Sequence, residues 1–431
     1  MHICLQCYRG NPYCGGQGVY LINLSKALSD MGHRVTLLVG PPYPGIVPWA
    51  RVERVTNGNY WGKRRGFLPR EAPTRILRPS EFFEFAASRL GYFPEPLAFS
   101  LRAWRAFARL HSREAFDVIH DVETLGYGLL LARQHGAVVV STVHHPLSLD
   151  REAYLARAGS WKERYYNVVF FPLIMQGMVA RRVDAIITSS VAGKEEIQRV
   201  FGVDSARVHL VHTGVDLETF CPDPKVERDC RELLFVGNAQ DPRKGIKVLL
   251  EALVLLPPSV HLTIVDEDEP YKTYAPALVR QMGLGGRVKF TGRLSQTKLV
   301  ERYRRAWVLV LPSRFEGFGL PVVEALGCET PVVVTRAGSL PEVVGEGEGG
   351  LLVPPEDPRA LAEAVHAMIT RQDMARQMGE KGRRRVKDMF SWERTAARTV
   401  EVYRWAMRRT GGKRTQKVSR PERAAISGEK S

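Results

Sequence analysis

The sequence predicts an α/β protein of two doubly wound parallel-sheet domains whose ligand crevice lies between them. Three observations predict it. Short, wholly apolar runs of strand length alternate with helical stretches along both halves of the chain, the pattern of parallel sheets covered on both faces. Each half opens with a strand, a glycine-containing loop and a helix, the start of a βαβ unit. The 431 residues exceed what one core ordinarily organises and fit two domains.

In the first half, residues 1–5 read as a strand. Residues 11–18, with Gly15 and Gly16, form a glycine-rich turn into a helix over 19–31, which Gly32 ends before a strand at 35–39. Further strands are expected at 117–120, 138–143, 185–188 and 208–211, giving an N-terminal domain of residues 1–215. Residues 40–100 fit this scheme poorly. They are rich in Pro, Gly, Arg and aromatics and read as an insertion or lid. Residues 161–182 combine aromatics with an apolar run at 168–180, short for spanning a membrane. A buried helix is the plain reading and an interfacial helix the sharper one.

Residues 212–216, followed by 220–224, read as a hinge, and the second domain extends over 216–388. Its strands are expected at 232–236, 261–265, 288–290, 307–311 and 331–335, alternating with helices near 246–256, 296–304, 321–326 and 358–370. Ser391 is a fitting N-cap for a last helix within 389–408. The polar, basic residues 409–431 are expected to be disordered.

Composition narrows the function classes. With 44% hydrophobic and 25% charged residues, the chain has the make-up of a soluble globular protein. No run has the length of a membrane span and no signal-peptide layout opens the chain, so the expected compartment is the cytoplasm. The six cysteines, Cys4, Cys7, Cys14, Cys221, Cys230 and Cys328, show no disulfide spacing. Cys4 and Cys7 form a C-x-x-C inside the first strand, without a second pair or histidines for zinc. The net charge of +16 gathers in residues 63–113, where arginines alternate with aromatics, and from Arg371 onward. A phosphorylated substrate, an anionic membrane face or nucleic acid would suit it. Solvated helix faces are the plain alternative, and no nucleic-acid-reading module is recognisable.

The stretch from Pro312 to Leu326 builds an anion site flanked by two carboxylates. Residues 307–311 read as a buried strand closed by Pro312. Gly317, Phe318, Gly319 and Leu320 then form a loop whose backbone N–H groups are free to face a ligand, and Pro321 suits a helix entry. Glu316 precedes the helix and Glu324 lies within it. Neither binds phosphate, but both accept hydrogen bonds from hydroxyl groups. A ligand carrying phosphate and many hydroxyls, such as a sugar nucleotide, fits. The alternative is a βα unit in which Glu316 is a turn acid and Glu324 a solvated helix residue; the glycines, Pro321 and the following 327–335 weigh against it. After the first strand of this domain, Gly237 leads to Arg243 and Lys244, the bidentate and compact cations suited to phosphate.

These motifs resemble those of the retaining GT-B glycosyltransferases of family 4, the glycosyl transferases group 1. The resemblance rests on Glu316 and Glu324 in an E-x7-E block, on the run Gly338 to Val344 and on Gly350 to Pro355, and extends over all but about the last two dozen residues. It implies the GT-B fold, with the last helix crossing back to the N-terminal domain, which would hold the acceptor. It implies a hexosyltransferase that moves a sugar from a nucleoside diphosphate to an acceptor hydroxyl. In that scheme Arg243 and Lys244 stabilise the leaving diphosphate, Glu316 holds donor-sugar hydroxyls and Glu324 the ribose. Gly15 and Gly16 let the first loop approach the diphosphate or the acceptor, Gly237 opens the loop of the two cations, Gly292, Arg293 and Leu294 touch the base, and His144 points into the cleft near the donor sugar. His145 reads as a polar loop histidine.

No metal and no cofactor is expected. Asp266 and Asp268 form a D-x-D of the kind the other glycosyltransferase fold uses for metal, and they read here as an acidic loop. Two carboxylates also suggest a glycosidase, but hydrolases need no phosphate cradle. A GT-B 2-epimerase or phosphorylase and a basic nucleic-acid-binding protein are the competing readings. For the acceptor, the basic aromatic segments suggest a glycan that is lipid-linked or at the inner face of the membrane.

Overall fold

A computed structural model of the chain describes residues 1–11, 16–57, 79–90, 92–170, 172–266 and 273–418. The first sheet contains β1 (His2–Cys7), β2 (Arg34–Val39), β3 (Arg51–Arg54), β4 (Val118–Val122), β5 (Val138–Thr142), β6 (Ala185–Thr188) and β7 (Val208–Leu210). Its order is β3-β2-β1-β4-β5-β6-β7, and every pairing is parallel. The second contains β8 (Asp229–Val236), β9 (His261–Val265), β10 (Val288–Phe290), β11 (Ala306–Leu311), β12 (Val332–Thr335) and β13 (Gly350–Val353), all parallel, in the order β10-β9-β8-β11-β12-β13. The central strands β1 and β11 are buried along their whole length; β11 is accordingly apolar throughout, while β1 carries two buried polar residues, His2 and Gln6. Strand order reverses at β1/β4 and at β8/β11. In such sheets ligands bind outside the carboxyl ends of the strands at these switch points.

Residues 40–100 are more of the domain than an insertion. Arg51–Arg54 adds an edge strand beside β2, with Thr36 opposite Arg51 and Val39 opposite Arg54. Its R-V-E-R sequence lacks an apolar run because an edge strand needs none. The helix Glu95–His111 buries Phe99, Ala103, Phe107 and Leu110, a 4-4-3 stripe that packs into the first domain's core. The part of the expected lid at 58–78 lies outside the described residues. Strand β13 was legible only as a motif.

Residues 161–182 form two helices rather than one. The helix Trp161–Phe170 has no buried residue, with Trp161 74% exposed, whereas Leu173–Ala180 buries Met175, Val179 and Ala180. Among the described residues no helix is long and apolar enough to cross a membrane.

The last helix, Trp392–Val418, buries Trp392, Ala396, Val400, Tyr403 and Ala406 in the same core cluster as Tyr20, Leu24 and Leu28 of the first domain. It outruns the expected end at 408, so the disorder expected from 409 does not hold for residues 409–418. The helix runs on through Gly411 and Gly412, which local propensity disfavours, so sequence alone pointed to an earlier end. Residues 419–431 lie outside the described part. Two chain passes join the domains side by side: Val215 N donates to Phe390 O at 2.9 Å, and Thr395 Oγ1 to His212 O at 2.8 Å.

Candidate active site in the interdomain cleft

The loop after β11 forms one wall of the cleft. Gly319 caps the helix Leu320–Gly327 with φ of 86°, a left-handed conformation that glycine adopts without strain, and Pro321 stands in the first turn. The N–H groups of Gly317, Phe318, Gly319 and Leu320 find no acceptor among the described residues. Gly317 is also a point of close approach: a Cβ there would stand 2.8 Å from the carbonyl oxygen of His144 in the other domain. Ser189 Oγ donates to Gly317 O at 3.1 Å, and Gly16, at the start of the first domain's helix Gly16–Asp30, faces Leu320. The Phe318 side chain is buried against Phe390, 5.4 Å between ring centres, so only its backbone is available to a ligand. Gly15 lies outside the described residues.

Beside this loop, a short turn over Pro242–Lys244 presents the two cations. Asp241 caps it by accepting from Arg243 N at 2.9 Å, and Arg314 N donates to Arg243 O at 2.7 Å, tying the two loops together. The Arg243 guanidinium lies 2.7 Å from Asp241 Oδ2, 2.5 Å from Asp150 Oδ1 and 2.9 Å from His145 Nε2. Lys244 Nζ lies 2.5 Å from Glu316 Oε1, which also accepts from Ser313 Oγ at 2.8 Å. Burial pulls Asp241 towards its neutral form, but the Arg243 guanidinium prevails and holds its carboxyl below the usual range.

From the first domain come His144 and His145 after β5, and Glu123 after β4. Burial, with the charge of His145 beside it, pushes His144 down to about 3, so its ring is neutral at physiological pH. The ring stands edge-on to Tyr20 at 4.8 Å, its Nδ1 is 3.4 Å from Ser189 Oγ, and its buried Nε2 has no partner among the described residues. Its backbone N–H donates to Glu123, whose φ of 64° is unusual for a non-glycine residue. Burial raises Glu123 to about 7, opposed by His145 and the His144 N–H. For His145 burial disfavours the charge, but Asp150 at 3.2 Å and Glu123 outweigh it and raise its pKa. His145 thus touches Arg243 rather than serving as a polar loop residue. Asp150 and Glu123 were not singled out from sequence. The spacing of Asp150 five residues beyond His145, one turn into the helix Leu147–Arg157, was the available signal.

Glu324 receives the Tyr303 hydroxyl on Oε2 at 2.7 Å. Burial lifts its carboxyl to about 7, with that hydrogen bond pulling the other way. Gly237 ends β8 with φ of 146° and donates its N–H to Val265 O. Asp266 accepts from Ala239 N at 2.8 Å and so braces the 237–241 loop; Asp268, its partner in the D-x-D, lies outside the described residues. Gly292, Arg293 and Leu294 follow β10 at the sheet edge. Leu294 packs on the domain core and Arg293 is exposed. They share the carboxyl edge with the other residues but have no hydrogen bond or ion pair to Arg243 or Glu316.

The arrangement combines cations for a diphosphate, carboxylates for hydroxyls, open backbone N–H groups and a neutral imidazole across the cleft. Residues 222–385 match the family model for glycosyl transferases group 1, and residues 14–219 match that for glycosyltransferase family 4. The chain is 37% identical over 418 residues to the MMP alpha-(1->4)-mannosyltransferase of Mycolicibacterium hassiacum, covering 95% of this chain and 99% of that one. It is 30% identical over 424 residues to D-inositol 3-phosphate glycosyltransferase 2 of Catenulispora acidiphila, covering 91% of each. Among solved structures, sucrose-phosphate synthase of Thermosynechococcus elongatus superposes with a TM-score of 0.73 at 26% identity, over 94% of this chain and 99% of that one. HepE of Anabaena, solved with UDP and glucose, shares the fold at a TM-score of 0.68 and 19% identity, over 93% and 98%. The chain belongs to the group 1 glycosyltransferases of the GT-B fold and is a sugar-transferring enzyme.

Proposed function

We propose that the cleft takes a nucleoside-diphosphate sugar and transfers its hexose, with retention of anomeric configuration, to a hydroxyl of a glycan acceptor. The observation that carries this reading is the adjacency of Arg243 and Lys244 to the loop bearing Glu316, with Glu324 on the helix behind it. The cations face the place where negative charge grows as the bond from the anomeric carbon to the diphosphate oxygen breaks. A preorganised pair there lowers the barrier. Glu316 holds sugar hydroxyls and Glu324 the ribose hydroxyls, while the neutral His144 is free to hydrogen-bond the sugar from the opposite domain. In a front-face displacement the acceptor oxygen bonds to the anomeric carbon on the side the diphosphate leaves, and the acceptor proton passes to the departing phosphate oxygen. A mannosyltransferase relative named for an α linkage supports this stereochemistry.

Arg243 and Lys244 supply the charge that a divalent ion would otherwise supply, so activity is expected to survive a chelator. A thermal-shift panel of UDP, GDP, ADP and their sugar conjugates tests the pocket: one nucleotide should stabilise the protein, and Glu324→Ala and Arg243→Ala should each abolish the shift. No shift with any of them would overturn the donor assignment. Proton NMR of the product then reads the anomeric configuration; an inverted product would remove the retaining mechanism.

The exposed helix Trp161–Phe170, with Trp161, Tyr165 and Tyr166 beside Lys162 and Arg164, supports an acceptor presented at an anionic membrane surface. Absence of sedimentation with anionic vesicles at low salt would sink that extension.

A further inference from the structure

Away from the cleft, a groove of about 670 Å³ runs between β7 and the last helix. Strand β7 is the outermost strand of the first sheet, so no further strand covers its outer edge. On the helix side, Arg394, Arg398, Glu401, Trp405 and Arg408 line the groove at spacings of 4, 3, 4 and 3, which puts them on one face. The helix's buried row, Trp392, Ala396, Val400 and Tyr403, occupies the other side.

The groove differs from an ordinary solvated helix face in two ways. Its charge is unbalanced: Arg398 pairs with Glu401 at 2.8 Å, but Arg394 and Arg408 have no carboxylate partner among the described residues. It also has an aromatic wall. His209 of β7 stands edge-on to the half-buried Trp405, 4.5 Å between ring centres, and burial, with Lys194 adding to it, holds the imidazole below its ordinary pKa. The His209 Nε2 is itself buried without a partner among the described residues. Arg409 stands over the Trp405 ring, 5.3 Å from its centre, so the aromatic wall is itself backed by a cation, which suits an anion that carries a ring.

The spacing sets the ligand's size. Seven residues of helix separate Arg398 from Trp405, or about 10 Å. That is the reach of a phosphate on one ring-bearing small molecule, with its ring on Trp405 and His209 and its phosphate oxygens on Arg394 and on Arg398, from which the phosphate would displace the Glu401 carboxylate. Guanidinium groups are suited to bidentate contact with such oxygens. We propose that this groove is a second ligand site, separate from the cleft, for the phosphate ester of a ring-bearing molecule. The site adjoins the hinge: His212 lines it and holds Glu342 of the second domain at 2.7 Å.

The same chemistry is offered by a soluble sugar or nucleoside phosphate and by a phosphoinositide-type headgroup, and the test separates them. The full chain is titrated calorimetrically with 1-naphthyl phosphate and with neutral 1-naphthol, in the presence of saturating UDP and GDP to fill the cleft. The phosphate ester is expected to bind and the naphthol not to, with at least a tenfold loss of affinity in Arg394→Ala/Arg398→Ala. Both residues are solvent-exposed, so this variant should keep its fold and its glycosyl transfer. In the second arm, phosphatidylinositol vesicles are compared with phosphatidylcholine vesicles. Retention on phosphatidylinositol that the double variant loses supports the site and assigns the headgroup as its source; naphthyl phosphate binding without retention supports it and assigns a soluble ester. Equal binding in wild type and double variant, complete displacement by the nucleoside diphosphates, or no binding in either arm would overturn the proposal.

Discussion

Arg243 of the second domain forms an ion pair with Asp150 of the first, 2.5 Å from Nη1 to Oδ1, so the cation proposed for the diphosphate is held by a carboxylate across the cleft. Asp241, on the turn that carries Arg243, takes a second donor of the same guanidinium at 2.7 Å. A diphosphate approaching Arg243 therefore competes with Asp150, and closure of the two domains and phosphate binding share one group.

Replacing Asp150→Asn keeps the side-chain shape and removes the competing charge. Nucleoside diphosphate affinity should rise about threefold to tenfold, the equivalent of roughly 1 kcal/mol. Calorimetric titration of wild type and variant without acceptor measures this. Weaker binding in the variant would show that Asp150 orients Arg243 rather than competing for it.

Gly317 faces the His144 carbonyl with no room for a Cβ, since the 2.8 Å approach is tighter than real Cβ contacts. Gly317→Ala should keep the two domain faces apart by a few tenths of an ångström. A catalytic rate lower by about tenfold to a hundredfold is expected, with the melting temperature nearly unchanged because each domain core is untouched. Steady-state kinetics beside a thermal melt separates this from misfolding.

Glu324 carries a pKa of about 7, raised by burial. Its ionised form is the better acceptor for ribose hydroxyls, so nucleotide affinity should increase between pH 6 and pH 8, and Glu324→Gln should flatten the profile. The stability consequence has the opposite sign. The folded pKa lies above the ordinary carboxyl value, so the stabilisation of the neutral acid is complete below about pH 4.5 and lost as pH rises to about 7. Glu324→Gln, a permanent neutral analogue, should therefore be more stable than wild type at pH 8, by roughly 1–3 kcal/mol. Calorimetric melts at pH 5 and pH 8 show whether the gain appears only at the higher pH.

Tyr403 on the last helix hydrogen-bonds His120 Nδ1 at 2.6 Å, and both residues are fully buried. Burial pushes His120 down to about 3, keeping it neutral. Tyr403→Phe leaves that ring nitrogen without its partner and should cost about 1–3 kcal/mol of stability. The Michaelis constant for the donor should stay unchanged, since the pair lies in the core joining the last helix to the first sheet. A urea unfolding curve and donor titration provide the two readings.

The strands β6 and β9 were legible with their full ranges, because a parallel strand covered on both faces leaves a largely apolar run that local composition reveals. The donor loop was legible for a related reason: a β-strand, two glycines and Pro321 lie consecutively in the chain, so their geometry is local. Strand β3 was not, because an edge strand of Arg, Val, Glu and Arg carries no apolar run, and the last helix continues past Arg408 through Gly411 and Gly412, where local propensity points to an end. The pairings across the cleft are of another kind. Asp150 with Arg243, Gly317 with His144 and His212 with Glu342 join residues 93, 173 and 130 positions apart. Sequence by itself determined that the chain would form two parallel-sheet domains, with a two-glycine loop flanked by Glu316 and Glu324 following one strand. Which histidine meets the arginine, and which carboxylate holds it, followed only from how the two sheets face each other, because a contact between distant segments leaves no local pattern in either one.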